Sequence, residues 1–311
     1  MHHFTIHIYP RCLQVLTITF LTSFFLISAS GCAEISTSPL AKPTGIGNAL
    51  DIARNDKNVF FFEDFEEEDY ANHFSRSTRP KNRQLITGDT VFNGNKSLRI
   101  SVNKNSNHGS SLNYRFAAFK MEEPTELYAR YYLRFDESWS TSRGSGKLPG
   151  PAGRYHKGGW GGRTSDGTNG WSARMLYTKS WFGPDYIDIG YYTYHANMPK
   201  KYGEKMLWHI DHRGSLQKNR WYAIETYIKL NTVGKSDGIL RGWVDGALAM
   251  ERKNLTFRTI PELKIEEFWV NIYHGGRSSD KNMSLYIDNL ALSTSRIGTA
   301  TRQNSNKNLA R

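Results

Sequence analysis

Residues 127–135 read Leu-Tyr-Ala-Arg-Tyr-Tyr-Leu-Arg-Phe, with Leu127, Ala129, Tyr131, Leu133 and Phe135 on one parity and Tyr128, Arg130, Tyr132 and Arg134 on the other. A period of two marks a strand that rests one face on a core. Segments 97–102, 221–230 and 239–244 alternate in the same way, Val59-Phe60-Phe61-Phe62 opens the series, and 284–293 reads as a last strand. Asp-Gly pairs at 166–167, 237–238 and 245–246 supply turn chemistry, and the last two bracket the 239–244 strand. Long amphipathic helices are missing. Many strands joined by Gly/Asn/Asp turns predict an all-β sandwich or jelly roll.

The ends read differently from this body. Residues 13–27 form an apolar run that leads into Ser28-Ala29-Ser30-Gly31-Cys32. A basic start, an apolar middle and a small-residue exit describe a secretory signal. The cysteine directly behind the small residues resembles a bacterial lipobox, with Ala29 where leucine is usual, and makes Cys32 the expected lipidation site. The chain divides into a lipoprotein signal peptide at 1–31, a flexible tether at 32–57, a strand-rich body at 58–295 and a disordered tail at 296–311. The expected location is the cell envelope, through a lipid anchor in a membrane, or secreted, and the expected state is a monomer. Cys12 and Cys32 are the only cysteines, so the mature fold is held by packing alone.

Lys and Arg total 41 against 29 Asp and Glu, a formal charge of +12. Such a surplus suits a polyanion. Nucleic acid, an anionic membrane and an acidic polysaccharide all fit the charge; no nucleic-acid motif accompanies it, and the residue types below point to the acidic polysaccharide as the expected partner. In several strands the polar parity carries Arg and Tyr: Arg130, Tyr132 and Arg134; Ser172 and Arg174; Tyr192 and Tyr194. Rings cover sugar faces, and guanidinium groups fork onto carboxylates. Ser172 and Arg174 are two apart and share a face, as do Tyr192 and Tyr194. Lys147 sits in Gly-Lys-Leu-Pro-Gly, read as a loop where backbone approaches a ligand.

These residue types fit a β-elimination. The proton beside a uronate carboxylate is very weakly acidic. A cation must neutralise the carboxylate, a base must take the proton, and an acid must protonate the leaving oxygen. Tyrosine can act as either, and Lys147 and Arg174 would favour its phenolate. Other chemistries lack their parts. A glycosidase needs two carboxylates on the binding face, whereas the acidic cluster at 63–69 reads as solvated surface. There is no zinc spacing, Asp185 with Asp188 is too little for a calcium cage, and no Gly-x-Ser-x-Gly elbow occurs. Neither a metal nor a cofactor is expected. In the basic segment 154–170, His156, Lys157 and Arg163 join Arg130 and Arg134 as candidate substrate-binding residues.

Taken together, Gly146-Lys147-Leu148-Pro149-Gly150, Gly170-Trp171-Ser172-Ala173-Arg174 and Tyr192-Thr193-Tyr194-His195 resemble polysaccharide lyase family 14, the jelly-roll alginate and glucuronan lyases. Trp243-Val244-Asp245-Gly246 and Tyr286-Ile287-Asp288-Asn289-Leu290 are similar as well. The resemblance implies a concanavalin A-like β-sandwich (jelly roll) of two antiparallel sheets with a concave substrate cleft. It implies Lys147, Ser172, Arg174, Tyr192 and Tyr194 as catalytic residues and a metal-independent β-elimination on a uronate polymer such as alginate or glucuronan. The segment 151–168 is more basic than that family leads one to expect. A heparin-lyase-like enzyme acting on a sulfated glycan, and a non-catalytic acidic-glycan-binding lipoprotein, stay open as alternatives.

Overall fold

A computed structural model describes residues 51–299; the signal peptide, Cys32, most of the tether and most of the tail lie outside the described residues. A short helix, α1 (Asp51–Asn55), leads into the strands. The first six are β1 (Val59–Glu63), β2 (Arg76–Thr78), β3 (Arg83–Ile86), β4 (Ser97–Val102), β5 (His108–Arg115) and β6 (Glu126–Phe135). The middle of the chain supplies β7 (Gly146–Leu148), β8 (Gly150–Gly153), β9 (Trp171–Lys179), β10 (Tyr186–Tyr194), β11 (Glu204–Leu207) and β12 (Ser215–Gln217). The last five are β13 (Tyr222–Lys229), β14 (Gly238–Val244), β15 (Ala247–Leu255), β16 (Glu267–His274) and β17 (Met283–Ser293).

These strands make two antiparallel sheets, an all-β jelly roll. One sheet runs β15-β14-β13-β6-β17-β4-β3, with β1 beside β17. The other runs β11-β10-β9-β7-β16-β5-β2, with β12 on β10 and β8 bridging β16 and β9. The alternation of 127–135 does what its period requires. Leu127, Ala129, Tyr131, Leu133 and Phe135 are buried in the core between the sheets. The facing sheet contributes Ala173, Met175, Tyr177, Ile189 and Tyr191 to the same core. Large buried phenols need a polar partner. Tyr191 Oη donates to the Arg241 carbonyl at 2.6 Å and so ties β10 to β14 across the core.

The ordered body exceeds the bounds drawn from composition. Ala53, in the segment read as tether, is buried. Ile297 N and Gly298 N, in the segment read as tail, donate to the Glu225 carboxylate at 2.7 and 3.1 Å. The physical reason is local: Glu225 and Arg130 are buried on the outer face of the β13–β6 pair, and the chain beyond β17 supplies their backbone partners.

Candidate active site

β9 and β10 are hydrogen-bonded neighbours whose register sets Tyr192 opposite Arg174 and Tyr194 opposite Ser172. The intervening Ala173, Met175 and Tyr191 enter the core, so the four polar residues face away from it. Lys147 arrives on the next strand over. It is not in a loop: β7 pairs with β9 and β16, with Lys147 opposite Leu176 and Tyr273. Glycine at 146 reflects close packing, because a Cβ there would lie 2.3 Å from the Tyr177 ring.

Lys147, Arg174, Tyr192 and Tyr194 line one cleft of about 460 Å³ on the outer face of the nine-stranded sheet. Trp160, Tyr202, Lys205, Trp269, Asn271 and Tyr273 complete much of its wall. No aspartate or glutamate lines it among the described residues. Uncompensated positive groups in a recess concentrate anions there.

Arg174 is buried, and its Nη1 donates to Asn271 Oδ1 at 2.8 Å. Its guanidinium stands 4.1 Å from the centre of the Trp269 ring. Burial, with Arg154 nearby, pulls its pKa down to about 10, which leaves it charged at neutral pH. Lys147 is in a harder position. It is buried, its Nζ lies 3.3 Å from the Tyr192 ring centre, and Arg174 and Lys205 add like charge. Burial first, then those two cations, bring it down to about 6. With no anion beside it, Lys147 is mostly a neutral amine at pH 7.

The two phenols differ. Burial, then the neighbouring Tyr194, pushes Tyr192 up to about 12, so it keeps its proton. Tyr194 Oη accepts the Gly162 N–H at 3.0 Å. An N–H aimed at a phenol oxygen stabilises negative charge on that oxygen. The rings meet edge to face with centroids 5.8 Å apart. Gly203 is fitted against both: a Cβ there would lie 2.7 Å from Tyr192 Cε1 and 3.0 Å from Tyr194 Cε2.

Ser172 takes a different place from the one its motif implies. It is fully buried, does not line the cleft, and its Oγ donates to the Gly159 carbonyl at 2.6 Å. It anchors the segment that carries Trp160 and Gly162. Arg130 and Arg134 are not in the cleft either. They project from β6 on the outer face of the opposite sheet, over the rings of Tyr132 and Tyr286. Arg130 is spent on the Gly298 carbonyl at 2.9 Å. His156 and Lys157 do not line the cleft; His156 Nε2 is 3.2 Å from Arg115 Nη2, and the Lys157 N–H closes a turn onto the Arg154 carbonyl. Arg163 reaches the site through a neighbour, its guanidinium 4.9 Å from the centre of the Trp160 ring.

Several cleft residues were missed from sequence: Trp160, Tyr202, Lys205, Trp269, Asn271 and Tyr273. The last three had a signal. In 267–274 Phe268, Val270 and Ile272 enter the core, and Trp269, Asn271 and Tyr273 alternate with them on the cleft side.

The family model described as Polysaccharide lyase 14 matches residues 91–286. Solved structures share the fold at low identity. The alginate lyase Aly36B is 21% identical with a TM-score of 0.57, covering 77% of this chain and 95% of its own. The alginate lyase vAL-1 from Chlorella virus is 19% identical at 0.58, covering 76% and 99%. The endo-β-1,4-glucuronan lyase from the fungus Trichoderma reesei is 13% identical at 0.52, covering 76% and 96%. No curated protein matches the sequence. The match to the family model takes in β4 to β16 and every cleft residue named above, and the chain belongs to the polysaccharide lyase 14 family.

Proposed function

We propose that the protein cleaves a uronate-containing polysaccharide, of the alginate or glucuronan kind, by β-elimination in this cleft. The observation that carries this reading is the convergence of Tyr192, Tyr194, Lys147 and Arg174 in a recess with no carboxylate. A glycosidase would need carboxylates there. A divalent cation would find only neutral or positive side chains as its neighbours among the described residues.

The uronate carboxylate sits against Arg174, which holds its charge at neutral pH. Tyr194, its oxygen already receiving the Gly162 N–H, takes the proton from the carbon beside the carboxylate. The electron pair released forms the new C=C bond as the β C–O bond breaks. Tyr192, which keeps its proton, delivers it to the leaving oxygen. Lys147 supplies the proton balance. Neutral amine plus phenol holds the same number of protons as ammonium plus phenolate. An entering carboxylate favours the second arrangement by adding negative charge beside Lys147.

The direct test is to incubate the folded protein with alginate, glucuronan and glycosaminoglycans and follow near-ultraviolet absorbance. Unsaturated uronate product is expected on at least one polyuronate, with the rate unchanged by a chelator. No product across that panel would leave only the glycan-binding alternative. The pH profile tests the protonation scheme. Below about pH 6 Lys147 binds a proton and the cleft holds one too many for a phenolate. kcat/KM is expected to fall about tenfold per unit below that point. Above it a plateau is expected, with Arg174 charged throughout. A rate that declines between pH 6 and 8 would overturn the scheme.

A further inference from the structure

Beside the catalytic cleft lies a second cavity of about 330 Å³. His108, Trp269 and Asn271 line both, so the two are immediate neighbours on the same sheet face. The second one reaches β2 and is lined by Arg76, Arg79 and Arg154, again with no aspartate or glutamate among the described residues. Arg154 is already satisfied: it is buried, ion-paired with Glu267, and stacked 3.6 Å from the centre of the Trp269 ring. It forms the wall between the cavities. Arg76 and Arg79 are exposed and make no side-chain ion pair with a described acidic residue.

We infer that Arg76 and Arg79 form a distal subsite for an anionic group, carboxylate or sulfate half-ester, on a polymer that crosses the sheet from the catalytic cleft. This rests on the lyase reading for what the polymer is, not for whether it binds. Sheet order fixes the span. From β9, which carries Arg174, to β2 the path is β9-β7-β16-β5-β2, four strand spacings. At about 4.8 Å per spacing this is roughly 19 Å. A 1,4-linked pyranose chain advances by about one strand spacing per sugar. The subsite therefore meets a sugar several units from the bond that breaks, on one side of it only. The consequence is a preference for long chains over short ones, with a steeper salt dependence for the long ones.

The test is the double variant Arg76→Gln with Arg79→Asn, both at exposed positions; asparagine suits the left-handed backbone at 79, where φ is 54°. Trimer and polymer of the same uronate are compared at low and moderate salt. The expected result is kcat/KM unchanged within twofold on trimer and about tenfold lower on polymer. Wild type should lose its polymer preference as salt rises. Equal effects on both lengths, or none on either, would overturn the subsite. Retention of wild type and double variant on immobilised polyuronate and on immobilised sulfated glycan separates the two anions. If no polymer in the panel is cleaved, the lyase reading fails. The retention difference still decides the subsite, and equal retention removes it.

Discussion

Tyr194→Phe is expected to lower kcat by about two to four orders of magnitude while leaving KM within a few-fold. The substitution removes one oxygen from a ring that is otherwise held in place by Tyr192 and Gly203. Fold stability should change by only about 1 kcal/mol, the usual net worth of the lost hydrogen bond from Gly162. The loss in rate corresponds to about 3–5 kcal/mol of barrier. It should appear with polymer and trimer alike, which separates it from any defect in the distal subsite. Tyr192→Phe should also be impaired through the leaving-group step, and a substrate with a better leaving group should recover more of its rate than that of Tyr194→Phe. A Tyr194→Phe enzyme retaining more than a tenth of wild-type kcat would remove Tyr194 as the base. Melting curves on both variants check that the proteins compared are folded.

What the sequence made legible was parity, and what it hid was which sheet each strand joins. Ser172, Arg174, Tyr192 and Tyr194 were placed on common faces by spacing alone, and the β9–β10 register brings those faces together. Arg130 and Arg134 have the same spacing and the same residue types, yet they decorate the outside of the opposite sheet. Alternation tells inside from outside within one strand. Which sheet a strand joins is decided by pairings such as β6 with β13 and β17, which are far apart in sequence. Short strands were hidden for another reason. β7 is three residues long in a Gly/Pro context and offers no period to read. Ser172 shows a further limit. Its parity was right, but its hydroxyl is turned to the Gly159 carbonyl, a contact that depends on how the glycine-rich segment folds back. The same fold-back presents Trp160 to the cleft and leaves His156 and Lys157 outside it.

Lys147→Met is expected to abolish turnover and at the same time to stabilise the fold, a pairing that a purely structural lysine would not give. In the folded protein Lys147 sits near 6 against an ordinary value of 10.5, because burial and the charges of Arg174 and Lys205 oppose its ammonium form. A lysine depressed on folding destabilises the native state wherever the unfolded chain holds the proton more tightly. Above pH 10.5 neither state is protonated and the penalty is absent. As pH falls the unfolded state gains the proton first, so the penalty grows down to about pH 6 and is constant below it. Its full size is on the order of several kcal/mol. Methionine matches the unbranched shape and fills the same space without a charge. A gain of even about 2 kcal/mol would raise Tm by roughly 4–8 °C in a domain of this size. The Tm difference between variant and wild type should be largest at pH 6 and shrink steadily toward pH 10. A variant that melts below wild type at pH 6, or whose difference does not move with pH, would show that Lys147 is not held against its charge. The loss of activity would then need another cause. If both halves hold, the strain and the chemistry have one origin. The recess disfavours an isolated ammonium, and a bound uronate carboxylate supplies the anion that allows Lys147 to take the proton a tyrosine must release.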